Sequence, residues 1–195
     1  MKNTGFILKL AAILCAIAFV CTFILVLCND ITAPIIAENT KKAEEEARQS
    51  VLPEAKGGFE LVKDFESTGI LEAYVGKNDK GEVVGYCFKV STKDNENKAF
   101  GGEIHMIVGV DRDLKVTGID LTTLAETPGL GAKADEDDFK SQFKGKGGSL
   151  EVVKSGAGES QIQAISGATI SSKAVTEGVN NALLAAEALS GKEAK

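Results

Sequence analysis

Apolar positions along this chain follow three successive patterns. From 10 to 28 the sequence LAAILCAIAFVCTFILVLC holds no charge, proline or glycine over 19 residues. A helix needs roughly 20 such residues to cross a ~30 Å hydrocarbon layer. The alternative is a cleaved secretory leader, with Lys2 and Lys9 as its basic lead-in. A leader's apolar core runs about 7–15 residues and closes on a small-x-small site. This run is longer, and the NDITAPII that follows offers no such site. Lipidation of Cys28 would need a small residue where Leu27 stands. The pattern therefore predicts a retained single membrane span. No Lys or Arg follows it until Lys41, which places the amino terminus in the cytoplasm and the remainder outside.

In the second pattern, 29–57, strong helix formers dominate the run AENTKKAEEEARQ, with Pro34 near its start and Val51, Leu52 and Pro53 at its end. This predicts a membrane-proximal helical segment. From 58 to 195 the pattern changes again. LEAYVGK (71–77) and EVVGYCFKV (82–90) alternate on either side of NDKG, a hairpin signature. EIHMIVGVD (103–111) puts Ile104, Met106, Val108 and Val110 on one face, and VTGIDLTTL (116–124) follows a short turn. A short helix is expected over 135–143, with acids in its first turn. LEVVK (150–154) and QIQAI (161–165) read as short strands around a glycine-containing turn. A last helix is expected over about 171–189, burying Val175, Val179, Ala182, Leu183 and Ala186 along one stripe. The fold class is α+β: one membrane helix, then a domain with a mainly antiparallel sheet and flanking helices.

Composition narrows the chemistry. The net charge is −6, or −8 once Lys2 and Lys9 are set aside. An acidic domain without a basic stripe excludes nucleic acid as a partner. Of the 4 cysteines, Cys15, Cys21 and Cys28 lie in the apolar span, which leaves Cys87 alone and excludes a disulfide framework. With 1 His and no CxxC or HExxH, the chain by itself offers no zinc, haem or iron–sulfur ligand set. Cys87 shares a strand face with Val83 and Gly85, in the core or at its edge. His105 reads as a solvated or interface residue, and the acids at 135–138 as a solvated helix start.

Two segments stand out against this background. QAISGATISS (163–172) sets Thr169 on a turn of small residues at a helix entry, with no base nearby to activate it as a nucleophile. Locally this is ordinary capping chemistry, since Ser and Thr cap helices and Gly permits the turn. ETPGLG (126–131) contains a Pro-Gly pair, which reads locally as a type II turn.

Taken together, SGAT and ETPGLG resemble the motifs of the FMN-binding domains found in the G subunit of the Rnf electron-transport complex. The C subunit of the sodium-pumping NADH:quinone reductase shares them. The resemblance covers essentially the whole chain, including the N-terminal span and the order of the two motifs, and the length favours the Rnf member of the pair. It departs from the family at Gln163, where Asp is frequent, and at Leu124 and Ala125, where a basic or imidazole residue is frequent.

The resemblance implies FMN joined through a phosphoester to Thr169 by a separate flavin transferase, so that Thr169 needs no base of its own. Gly167 and Ala168 would keep the turn narrow enough to enter that enzyme. The phosphodiester would lie at a helix start, where amides and the dipole favour an anion by about 0.3–1 kcal/mol. Ser166, Ser171 and Ser172 would donate further hydrogen bonds to it. Glu126 and Thr127 would hydrogen-bond the ring or its ribityl chain, Leu130 would pack against it, and Gly129 would supply the turn.

The implied protein is a single-pass, membrane-anchored flavoprotein that transfers electrons within an ion-translocating ferredoxin:NAD oxidoreductase, among other membrane and peripheral subunits. The alternative is an anchored FMN-binding regulatory or interaction module without redox turnover. Relatives of that kind carry several spans and extra metal-binding segments, which this chain lacks.

Overall fold

The computed structural model describes residues 4–63 and 65–193. Lys2, one of the residues used above to orient the span, lies outside them. The chain divides into two compact units, Met1–Lys42 and Ala43–Lys195.

Helix α1 (Thr4–Val51) contains the apolar run. Leu14, Phe19 and Leu25 are exposed on it, and none of its most apolar 18-residue window is buried. That window is long and apolar enough to cross a membrane by length and composition. The helix does not break where the sequence predicted a second segment to begin: Pro34 lies inside it. An interior proline deletes one amide donor and crowds the preceding turn, at a cost of about 3 kcal/mol. The strong helix formers that follow carry the helix on to Val51.

The second unit begins at Ala43, well before the boundary expected at 58, so the last turns of α1 belong to the folded domain. Strands β1 (Gly58–Leu61), β2 (Ile70–Lys77), β3 (Val83–Ser91), β4 (His105–Asp111) and β5 (Val116–Thr123) form one antiparallel sheet in sequence order. Alternation puts Phe88, Val90, Met106, Val108 and Val110 on one face, all fully buried. Helix α3 (Thr169–Glu193) covers that face with the stripe Val175, Val179, Ala182, Leu183 and Ala186, as the spacing predicted. It lies close: a Cβ on Gly178 would come within 2.9 Å of Met106 Cε.

The opposite face is covered as well, by the end of α1 and the residues after it. Cys87 and Ile107 are buried there with Ala47 and Val51. A row of glycines on four neighbouring strands makes room. A Cβ on Gly76 would lie 2.6 Å from Leu52 Cδ2, and one on Gly85 3.2 Å from Leu52 Cδ1. One on Gly109 would lie 2.6 Å from the Val51 carbonyl oxygen, and one on Gly118 3.3 Å from Val51 Cα. Thr117 Oγ1 donates to that same carbonyl.

Charge also fixes the helix end. Glu44 meets Lys89 at 2.8 Å, and the Arg48 guanidinium stands 4.6 Å from the centre of the Tyr74 ring. The Tyr74 hydroxyl donates to Glu72. Burial, reinforced by that bond, pushes the hydroxyl up to about 12. Burial likewise pushes the Cys87 thiol up to about 12, so it stays protonated and inert.

Beyond β5 the segment expected as one helix over 135–143 is a chain of short turns: a 3-10 turn (Gly131–Asp135), α2 (Asp137–Lys140) and a second 3-10 turn (Ser141–Phe143). Phe139 and Phe143 are buried edge to face, their ring centres 5.4 Å apart, while the acids at 135–138 are exposed. The strands β6 (Glu151–Val153) and β7 (Gln161–Gln163) pair in parallel rather than as a hairpin. The loop between them is pinned by Lys146 Nζ, which donates to the Gly158 carbonyl at 2.7 Å and the Gln161 carbonyl at 2.6 Å.

Candidate flavin site

β7 runs directly into the first motif. The Ala168 amide donates to the Ile165 carbonyl at 2.9 Å, closing a turn whose third residue, Gly167, has φ +79°. That is a type II turn, which glycine adopts without strain. Helix α3 then starts at Thr169 itself, earlier than the sequence predicted. Thr169 is half-buried. Its amide and those of Ile170 and Ser171 belong to the first helical turn, where no intrahelical acceptor exists.

The second motif is built the same way. The Leu130 amide donates to the Thr127 carbonyl at 3.1 Å and Gly129 has φ +78°, so the expected type II turn is present. The two turns meet. A Cβ on Gly167 would lie 3.0 Å from Leu130 Cδ2, and one on Gly131 2.7 Å from Ser171 Oγ. Between them opens a cavity of about 340 Å³, lined by Glu126, Thr127 and Leu130 from one motif and by Gly167, Ala168, Thr169 and Ser171 from the other. That volume is within the range of small-molecule sites.

Three further lining residues had escaped the sequence pattern: Phe100, Gly131 and Ile170. Gly131 and Ile170 fall within or beside the motifs, but Phe100 comes from the β3–β4 loop. Its one signal was an aromatic residue before a Gly-Gly pair in a stretch without strand periodicity.

Three residues expected at the site do not line the cavity. Gly129 faces open space and serves the turn. Ser166 is exposed on the turn itself. Ser172 is fully buried, and its hydroxyl is engaged within the chain: it donates to the Ala168 carbonyl at 2.9 Å and accepts from the Ile165 amide at 3.0 Å. It staples the SGAT turn to the helix instead of facing a ligand.

Glu126 is 7% exposed and accepts from the Gly101 amide at 3.1 Å. Gln163, at the position that departs from the family pattern, has an exposed side chain. Its backbone is clamped by Gln142, whose Oε1 accepts from the Gln163 amide at 2.7 Å. His105 lies outside the cavity, with Nε2 2.8 Å from Glu103 Oε1.

The geometry fits a tethered flavin phosphate. A hydroxyl sits on the first residue of a helix, glycines hold the adjoining walls open, and apolar side chains surround the mouth. Among the residues lining the cavity, Glu126 is the one charged group. The negative charge of a phosphodiester would therefore be met by helix amides and hydroxyls rather than by Lys or Arg.

Known proteins resemble the chain along most of its length. The FMN-binding domain family matches residues 99–184, which contain both motifs and Phe100. The RnfG N-terminal region matches residues 1–51. The G subunit of the Na(+)-translocating ferredoxin:NAD(+) oxidoreductase complex of Acetobacterium woodii is 40% identical over 190 residues, covering 89% of this chain and 88% of its own. The chain belongs to the RnfG family. The G subunit of an ion-translocating oxidoreductase complex from Methanosarcina acetivorans is 32% identical, covering 72% of this chain and 73% of its own. RnfG proteins are thus components of a multi-subunit oxidoreductase. The crystal structure of Shewanella oneidensis NqrC shares the fold, with a TM-score of 0.50 at 19% identity, covering 69% of this chain and 66% of that one.

Proposed function

We propose that this chain carries FMN bonded through a phosphoester to Thr169. In this reading it passes electrons within a ferredoxin:NAD oxidoreductase complex that translocates ions. The observation that carries the reading is the convergence of SGAT and ETPGLG, distant in sequence, on one cavity with Thr169 at its edge. Flavin accepts one or two electrons and so joins one-electron to two-electron partners. The chain's own residues bind and orient it. The first-turn amides of α3 and Ser171 hold the phosphate, Thr127 and Leu130 bound the ribityl chain and ring, and Ser172 keeps the turn in shape. The helix of the Met1–Lys42 unit anchors the chain in the cell membrane, amino terminus in the cytoplasm and flavin domain outside. A flavin transferase makes the bond, and the other subunits supply and remove electrons.

Thr169→Ala tests this, expressed with a flavin transferase and read as flavin fluorescence on a denaturing gel. The parent is fluorescent and the variant is folded, membrane-inserted and dark. A fluorescent Thr169→Ala band would move the attachment elsewhere. A dark parent in the presence of the transferase would replace this reading with that of an anchored module without redox turnover.

A further inference from the structure

We propose that Phe100 forms one wall of the flavin ring site and that Glu126 acts as its positioning residue. The inference rests on flavin attachment at Thr169. Phe100 is 74% exposed, yet it lines the same cavity as Thr169 and Ile170. An exposed aromatic on a free loop would mean little. This loop is fastened at both ends.

On one side it is tied to the body of α3. Asn95 Nδ2 donates to the Ala174 carbonyl at 3.1 Å. Glu177 accepts from the Glu96 amide at 2.6 Å and from the Asn97 amide at 2.9 Å. On the other side the residue directly after Phe100 is held by Glu126, through the Gly101 amide. Gly101 also lies against the ETPGLG segment so closely that a Cβ there would stand 2.8 Å from Glu126 Cα.

Such fastening fixes a phenyl ring in a position where water is its main neighbour. That arrangement gains nothing for the apo fold, because exposed apolar area stays exposed. It gains once a planar aromatic ligand lies against the phenyl group, in the offset-stacked or edge-to-face contact that aromatic rings prefer. Leu130 and Ile170, 45% and 56% exposed, extend the same apolar mouth. A ring reaching out from Thr169 meets three apolar side chains. In this arrangement Glu126 acts on the flavin through the loop. Its carboxylate is the acceptor that sets where Phe100 stands.

The test uses the full-length protein expressed with the transferase, reading covalent flavin on a denaturing gel and iodide quenching of the native flavin. Phe100→Ala keeps covalent flavin but raises the iodide quenching constant about twofold or more, as one ring face loses its aromatic cover. Glu126→Ala does the same by releasing the loop. Glu126→Gln restores parent-like quenching, because an amide oxygen accepts the Gly101 N–H as well as a carboxylate does. A flavinylated Phe100→Ala protein with the parent's quenching and absorption spectrum overturns the inference. So does a Glu126→Gln protein that behaves like Glu126→Ala, which would assign Glu126 a role through its charge. If Phe100→Ala does not load flavin, Phe100→Leu is read in its place: intermediate quenching supports the wall, and parent-like quenching overturns it. A parent without covalent flavin refutes the attachment at Thr169 instead, and the gel distinguishes that failure from the others.

Discussion

Leu130 lies against the bare face of Gly167, its Cδ2 only 3.0 Å from the point where a side chain on that glycine would begin. This contact joins the two motifs, and it separates the roles of their glycines. Gly167 and Gly129 share nearly the same backbone conformation, with φ +79° and +78°, but only Gly167 has a neighbour in the way. Gly129→Ala is expected to cost about 1 kcal/mol from the left-handed conformation alone. Gly167→Ala is expected to cost about 2–3 kcal/mol, because Leu130 must also move. Urea unfolding of the two variants checks the order.

Ser171 and Ser172 are adjacent but do different work. Ser172→Ala leaves the half-buried Ile165 amide without its acceptor, at an expected cost of about 1 kcal/mol. With the proposed attachment at Thr169, it should also lower the fraction of protein flavinylated, since the turn loosens. Ser171→Ala should change stability little and keep covalent flavin. Thermal melts together with in-gel fluorescence would show the two effects.

How far the sequence carried depends on which physical signal was local. The sheet's apolar face, the α3 stripe and both turns rest on periodicity or on Pro-Gly and Gly chemistry within a few residues, and all were legible. The parallel pairing of β6 and β7 was not, because short strands carry no mark of their direction and the pin at Lys146 is a tertiary contact. The cover on the second sheet face was missed for a similar reason. Gly76, Gly85, Gly109 and Gly118 read singly as weak strand positions, and they form a row only once the strands are in register. Phe100 needed the loop to be folded back onto Glu126. The role of Ser172 needed the turn and the helix in three dimensions, where its hydroxyl is already engaged.

Arg48 is 8% exposed, and among the described residues its Nε and Nη1 have no hydrogen-bond partner. The face of Tyr74 meets them instead. A double-mutant cycle of Arg48→Met and Tyr74→Leu should give a coupling of about 0.5–2 kcal/mol. Arg48 Nη2 is paired with Glu45 at 2.6 Å, and Arg48→Met alone should be tolerated better than Arg48→Ala because an apolar chain of similar length keeps the site filled. Chemical denaturation of these variants and the parent measures both.

Acid should loosen the Phe100 loop. Burial by itself raises the Glu177 carboxyl, but the bonds from the Asn97 side chain and the Asn97 and Glu96 amides outweigh it, so its pKa is lowered from 4.5. A carboxylate with a depressed folded-state value contributes stability that is fully present above its unfolded pKa. That contribution is lost as pH falls through the folded value. Between neutral pH and about pH 5 the contribution should be constant, and further acidification should remove it. Glu177→Gln should flatten that part of the stability profile, as read by thermal melts in a pH series.

The glycine row decides where this protein can be cut. A fragment designed from the strand pattern would begin at residue 58 and omit the segment that carries Val51, Leu52 and Ala55, all buried. It would present a bare strip of backbone across four strands to water, forfeiting about 1.5–3 kcal/mol for each large side chain removed. An uncovered apolar sheet face of this kind invites aggregation. A fragment without the apolar run, suited to crystallisation, isotope labelling or reconstitution, should therefore begin no later than Ala43, keeping the end of α1 as part of the domain it leads into.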